Sequence, residues 1–253
     1  MNIATKSMTG KRDQSMKILM RNVALLALVA SVSTISAASA QEHEAAIAPV
    51  DLSGFWVLRH DSKNVGEAKL VDDFASSDSQ RRFNNIVTYP SRWCHPLGVP
   101  FIMGDSAPLD LIQSKRELAI TAEVQSAARH IYIDGREVPD MEAFDPTSNG
   151  LSIGHWEGDV LVVETVGFNE IGNRMIPGGG LRGETSRLVE RYDLSDDAQV
   201  LNVQFTWEDP RVFVEPHTYE FTYYRSPDDE YAREYFCDAS DESRGETVSA
   251  PEQ

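Results

Sequence analysis

Along most of the chain the dominant hydrophobic period is two. Leu118, Ile120, Ala122 and Val124 alternate with polar or charged neighbours, the signature of a strand with one wet face. The run 129–133 (RHIYI) ends at Asp134-Gly135, a tight-turn dipeptide. Leu151 to Trp156 and Val160 to Val166 flank Glu157-Gly158-Asp159, which predicts a hairpin. A second hairpin follows from Ser186 to Leu194 and Gln199 to Trp207, joined through Ser195-Asp196-Asp197-Ala198. Val212 to Val214, Tyr219 to Tyr223 and Glu230 to Phe236 complete the expected strands. One short helix is expected over 72–86, where Phe74, Arg82, Phe83 and Ile86 fall at roughly helical spacing. Eight or more short strands joined mostly by turns predict an all-β fold, an antiparallel barrel or sandwich. Helical crossovers are missing from the pattern, which disfavours an all-parallel sheet.

Ahead of this region lies an address. Lys17 and Arg21 are followed by the apolar run Val23 to Val32 and by Ala38-Ser39-Ala40. A basic start, a short apolar stretch and a small-x-small end predict a signal peptide over 1–40, cleaved after Ala40. The apolar run is shorter than the ~20 residues of a membrane span. Residues 41–50 read as a polar leader, 51–237 as a single β domain and 238–253 as an acidic, disordered tail. The expected location is periplasmic or secreted.

Charge sharpens this picture. The 253 residues carry a formal net charge of −17. Residues 1–40 hold five basic side chains and one acidic one, so the remainder, with 18 basic and 39 acidic groups, stands at −21. Such a chain lacks the clustered Lys and Arg that grip phosphate backbones, so nucleic acid is not an expected partner. Cys94 and Cys237 are the only cysteines and allow one pairing. In an oxidising compartment their disulfide would close a long loop, worth about 4–5 kcal/mol on chain-entropy grounds. The alternative is two separately buried thiols.

Asp51-Leu52-Ser53-Gly54-Phe55-Trp56 opens the first expected strand. Its Gly-x-Trp resembles the opening of lipocalin-like (calycin) barrels, in which the Trp plugs the closed end. A longer resemblance covers about 90–237. It runs through Cys94-His95-Pro96-Leu97-Gly98-Val99-Pro100, Ile131-Tyr132-Ile133-Asp134-Gly135-Arg136 and Ser152-Ile153-Gly154-His155-Trp156-Glu157-Gly158-Asp159. It continues in 161–169 (LVVETVGFN), Glu190-Arg191-Tyr192 and Glu208-Asp209-Pro210. In these segments the chain is similar to a large family of secreted proteobacterial proteins without an assigned activity. Members of that family often carry His where Arg182 stands here, and Leu-His in place of Ser186-Arg187. A catalytic His at that place in relatives would imply a lost or altered activity in this chain.

The chemistry is sparser than the fold signal. His43, His60, His95, His130, His155 and His217 form no metal-binding spacing, so no metal is expected. No nucleophile elbow, phosphate loop or dinucleotide fingerprint is present, and no cofactor is expected. Gly178-Gly179-Gly180 predicts a mobile loop at a barrel mouth. Glu190 and Arg191 interrupt apolar neighbours, and only one of two adjacent strand residues can face inward. An inward Glu190 would be a candidate general base. A surface charge or an ion pair with Arg187 is the plainer reading. His155 is either a rim proton shuttle or solvated. Arg182 could clamp an anion, with Asn169 orienting a carbonyl; both also fit an ordinary loop.

Aromatic residues say more. Tyr132, Trp156, Phe205, Trp207 and Tyr219, with Phe221 and Tyr223, are spread over the expected strands, several at i, i+2 spacing. Such stripes form either core or the lining of a cavity for a flat apolar ligand. The leading expectation is an exported lipocalin-like protein that binds a small hydrophobic or aromatic molecule. The rival is a cofactor-independent lyase, isomerase or hydrolase using Glu190, His155, Arg182 and Asn169 in the same cavity. A third is an interaction protein of the envelope that uses the acidic tail. The sequence leaves the oligomeric state open.

Overall fold

A computed structural model describes residues 48–75, 98–105, 107–122, 128–170 and 175–227. Its strands are β1 (Gly54–Asn64), β2 (Leu109–Gln113), β3 (Glu117–Ala122), β4 (Ala128–Tyr132) and β5 (Leu151–Glu157). They continue with β6 (Val160–Val166), β7 (Arg187–Leu194), β8 (Val200–Glu208) and β9 (His217–Arg225). Each strand pairs with its neighbour in the chain, and β9 pairs back onto β1, so the sheet closes into a nine-stranded barrel. The expected all-β fold is therefore a barrel, not a sandwich.

Closure with nine strands imposes a constraint. Strand directions cannot alternate all the way round a ring of odd number, so at least one neighbouring pair must run parallel. That pair is β4–β5, with Tyr132 opposite Ile153, and all other pairs are antiparallel. A parallel connection cannot be a tight hairpin. The chain accordingly makes a long excursion between Ile133 and Gly150, with a 3-10 turn at Met141–Ala143. Asp134-Gly135 bends the chain as expected, with Gly135 at φ 80, but opens that excursion instead of a hairpin.

Both predicted hairpins are present. Gly158 adopts φ 63 in the β5–β6 turn, and Ala198 adopts φ 55 between β7 and β8. The second turn is held by Ser195, whose hydroxyl accepts the Val200 N–H at 2.9 Å. The strand expected at Val212 to Val214 is corrected. After Asp209-Pro210 the Val212 and Phe213 N–H groups both donate to the Asp209 carbonyl, so the backbone turns helically. Val212 and Phe213 are consecutive and both buried, which a strand does not permit on one face, and only Phe213 forms a bridge, to Leu70. Helix α1 covers Asp72–Ala75, at the start of the expected 72–86 segment, and a second short helix, α2, covers Phe101–Gly104. Among the described residues no helix is long and apolar enough to cross a membrane.

Alternation fills the interior. Leu118, Ile120 and Ala122 of β3 are buried, as are Leu201, Val203, Phe205 and Trp207 of β8. The Gly-x-Trp opening shows why its glycine is needed. Trp56 is fully buried, donates Nε1–H to the Leu52 carbonyl at 3.1 Å and is covered by the Arg225 guanidinium at 4.3 Å. A Cβ on Gly54 would lie 2.0 Å from Arg225 Nη1. The signal segment, Cys94 and Cys237, Val124, Arg82, Phe83, Ile86, the strand expected at Glu230 to Phe236 and the tail lie outside the described residues.

Candidate functional site

The inward face of β4 to β7 should be apolar by the same alternation, yet it carries a charge. Arg129 shares the inner face of β4 with Ile131, and Glu190 shares that of β7 with Leu188 and Tyr192. Ser152 and Thr165 are directly paired across β5–β6. These four strands therefore deliver Arg129, Ser152, Thr165, Glu190 and Tyr192 to one place, all buried.

Their side chains form one hydrogen-bonded network. Arg129 Nη1–H donates to Glu190 Oε1 at 2.8 Å and to the Tyr192 hydroxyl at 3.3 Å. Arg129 Nη2–H donates to Glu190 Oε2, making the pair bidentate, and to Thr165 Oγ1 at 3.0 Å. Its Nε–H donates to Ser152 Oγ at 3.3 Å. Tyr192 in turn donates to Glu190 Oε1 at 3.0 Å, and the Ser152 and Thr165 hydroxyls meet at 2.9 Å. Burial disfavours the Arg129 charge, but the facing Glu190 carboxylate and Tyr192 hydroxyl more than offset this and hold the guanidinium above its usual pKa. Burial, then the Glu190 charge, pushes the Tyr192 phenol well above its ordinary range. An arginine–carboxylate pair survives burial when its remaining donors are satisfied, as here.

Beside it, β8 and β9 supply an aromatic wall. Phe205 stacks on Tyr219 with centroids 4.9 Å apart, and Phe221 lies 5.1 Å from both. Trp207 Nε1–H donates to the Tyr219 hydroxyl at 3.2 Å, and Phe168 lies 5.5 Å from Trp207. The Tyr223 hydroxyl donates to the Met103 carbonyl at 2.5 Å, tying α2 to the wall. Burial raises the pKa of both Tyr219 and Tyr223, and both also sense the charges of Glu190 and Arg129. The wall and the ion pair thus share one interior.

The four polar residues singled out from the sequence do not meet there together. Glu190 faces inward, so the plainer reading of a surface charge or an Arg187 partner is corrected: its partner is Arg129. Arg187 faces out and pairs with Glu164 at 2.8 Å and Glu208 at 2.8 Å. Arg191 also faces out, to Glu157 at 2.9 Å. His155 is exposed on β5, 3.4 Å from Glu157, and belongs to the outer surface, not to a proton path inside. Arg182 is fully buried and donates to the carbonyls of Val99 and Asn169, both at 2.6 Å, with its charge 5.1 Å from the Phe168 ring. It braces two chain segments. The Asn169 amide donates to the Pro146 carbonyl at 3.4 Å and accepts from Ser148 at 3.3 Å, which is a loop role.

Of the aromatic candidates, Phe205, Trp207 and Tyr219 face the interior, and Trp156 packs half-buried against the core. Tyr132 alternates with the inward Ile131, so it faces out, under the Arg136 guanidinium at 3.8 Å. The triple glycine is packed, which corrects the expectation of a loose loop. A Cβ on Gly178 would lie 2.2 Å from the Gly66 carbonyl oxygen, and one on Gly180 2.9 Å from Phe213. Its glycines serve close approach and positive φ (88, 124 and 93). Sequence reading missed Arg129, Ser152, Thr165 and Tyr192. Their signal was parity, since Arg129 falls in step with Ile131 and Ile133.

Among the described residues, no group of His, Cys, Asp and Glu is placed to hold a metal ion. No protein-family model matches the chain, and no curated protein does. Fold and site define a closed nine-stranded barrel whose interior is part aromatic wall and part hydrogen-bonded ion pair.

Proposed function

We propose that the protein is an exported, lipocalin-like carrier that holds a small hydrophobic or aromatic molecule inside its barrel. The observation that supports this most is the inward aromatic wall of Phe205, Trp207, Tyr219 and Phe221, set in a closed sheet. A barrel of about eight strands encloses just enough room for packed side chains or one small ligand. Flat rings offer large contact area at low conformational cost, and a buried ion pair with its hydrogen bonds met inside fixes the strand beside the wall. Export follows from the basic, apolar and small-residue order of residues 16–40 and suits the acidic balance of the rest.

Titration with N-phenyl-1-naphthylamine, read by tryptophan fluorescence and by probe emission, tests the reading. Saturable one-to-one binding is expected, weakened by Trp207→Phe. Emission that rises linearly with probe, without saturation and indifferent to that substitution, overturns it.

A further inference from the structure

Not every hydroxyl proton of the interior is used in a hydrogen bond among its side chains. All five N–H groups of Arg129 are used on Glu190, Tyr192, Ser152 and Thr165. Tyr192 donates to Glu190, and Tyr223 to the Met103 carbonyl. Tyr219 is different. Its oxygen accepts from Trp207, and among the described residues its own proton makes no hydrogen bond. Yet the residue is only 3% exposed, on the inner face of β9. A second donor is left over independently. Ser152 and Thr165 own two hydroxyl protons but share one mutual bond, and their other side-chain partner, Arg129, only donates. Buried donors without acceptors are costly, and native proteins supply an acceptor for nearly all of them.

Charge narrows the complement. Glu190 and Arg129 cancel, and the groups packed on Tyr219 are the rings of Phe205, Phe221 and His217 and the Trp207 N–H. A carboxylate there would meet no permanent positive charge that is not already paired, in a site of low polarity. We propose that the barrel takes an uncharged, largely aromatic ligand bearing a carbonyl oxygen, and that this oxygen accepts the Tyr219 hydroxyl proton. The inference rests on the binding reading above and adds the polarity of the ligand. Tyr219 is then a specificity-determining residue, and hydrocarbons of the same shape bind more weakly.

Calorimetric titration of the full chain with benzophenone, diphenylmethane and diphenylacetate separates the two ideas. The ketone is expected to bind about tenfold tighter than the hydrocarbon, the gain of one buried hydrogen bond, and tighter than the carboxylate. Tyr219→Phe should remove the ketone's advantage over diphenylmethane. That substitution also strips Trp207 of its acceptor, so a measurement on the unaltered protein stands beside it. The carbonyl stretch of bound, isotope-labelled benzophenone should lie below its frequency in hexane. Equal binding of ketone and hydrocarbon, an unshifted stretch, or tighter diphenylacetate overturns the proposal while leaving the binding reading in place. No saturable binding of any of the three overturns both.

Discussion

Strand β7 carries two carboxylate–arginine associations of the same chemistry on opposite faces. Inward, Glu190 meets Arg129 with both side chains fully buried. Outward and three residues earlier, Arg187 meets Glu164 and Glu208 with side chains 38–42% exposed. Residue type does not distinguish the two sets, and spacing along the strand does. An odd offset puts one pair in a medium where each charge depends on the other and leaves the other pair in water, where solvent does much of that work. The inner pair is thus an all-or-nothing element of the barrel, and the outer one an adjustable ornament of its surface.

Removing one partner of the inner pair should break the contrast most sharply. Arg129→Met leaves Glu190 buried without a counter-charge and should cost roughly 3–5 kcal/mol in urea unfolding. Replacing both, as Arg129→Met with Glu190→Leu, should restore most of that loss, because an apolar pair has no charge to strand. The two single substitutions are in direct contact and should be strongly non-additive. If the double variant shows the sum of the single losses, the pair is not the coupled unit described here.

The same offset explains what could be read from the sequence. Hairpins β5–β6 and β7–β8 were legible because turn residues sit between two alternating runs, and both their strands are local. Strand β2 was not, since Leu109 and Leu111 make too short an alternation and Ile112 beside them is 55% exposed. The parallel β4–β5 pair follows from ring closure, a property of the whole sheet that no local pattern contains. At the site, Phe205, Trp207 and Tyr219 were legible as an inner stripe. Tyr132 has the aromatic character of the inner stripe but falls in step with the exposed His130, and parity decides its face. Arg129 is the converse case, a charge standing where parity asks for an apolar residue. The glycine triplet could not be read, because the atoms that crowd it belong to Gly66, Phe213 and His217, distant in the chain.

Between the two extremes lies Asp209, a buried carboxylate whose cationic partner, the exposed Arg211 side chain, reaches it at 3.5 Å. Burial pushes its pKa up, but the Ser186 and Thr185 hydroxyls and the Arg211 backbone N–H more than offset this and hold it below the ordinary 3.8. A carboxyl depressed in the folded state adds stability above its unfolded pKa and loses it as pH falls through the folded value. The protein should therefore lose part of its stability on acidification below about pH 4. Asp209→Asn should cost about 1–2 kcal/mol at pH 7, and the gap to the unaltered protein should narrow toward pH 3. Melting temperatures of the two across that range decide the matter; a gap independent of pH would mean that the charge of Asp209 is not what the turn uses.

The smallest effect belongs to the outer pair. Bonds at 2.8 Å from Arg187 to two carboxylates match the 2.8 Å bond from Arg129 Nη1 to Glu190, so distance alone predicts a large loss for Arg187→Ala. Exposure predicts otherwise. Water and counter-ions take over the freed charges, and surface pairs of this kind contribute at most about 1 kcal/mol. Screening supplies the decisive check, because charges in solvent separate electrostatically within about 3 Å at 1 M salt while buried ones are shielded from it. The loss on Arg187→Ala should therefore shrink toward zero between low salt and 1 M sodium chloride, whereas the loss on Arg129→Met should barely move. Equal salt sensitivity of the two would show that solvent reaches the inner pair, and the division of β7 into a dry and a wet face would fall with it.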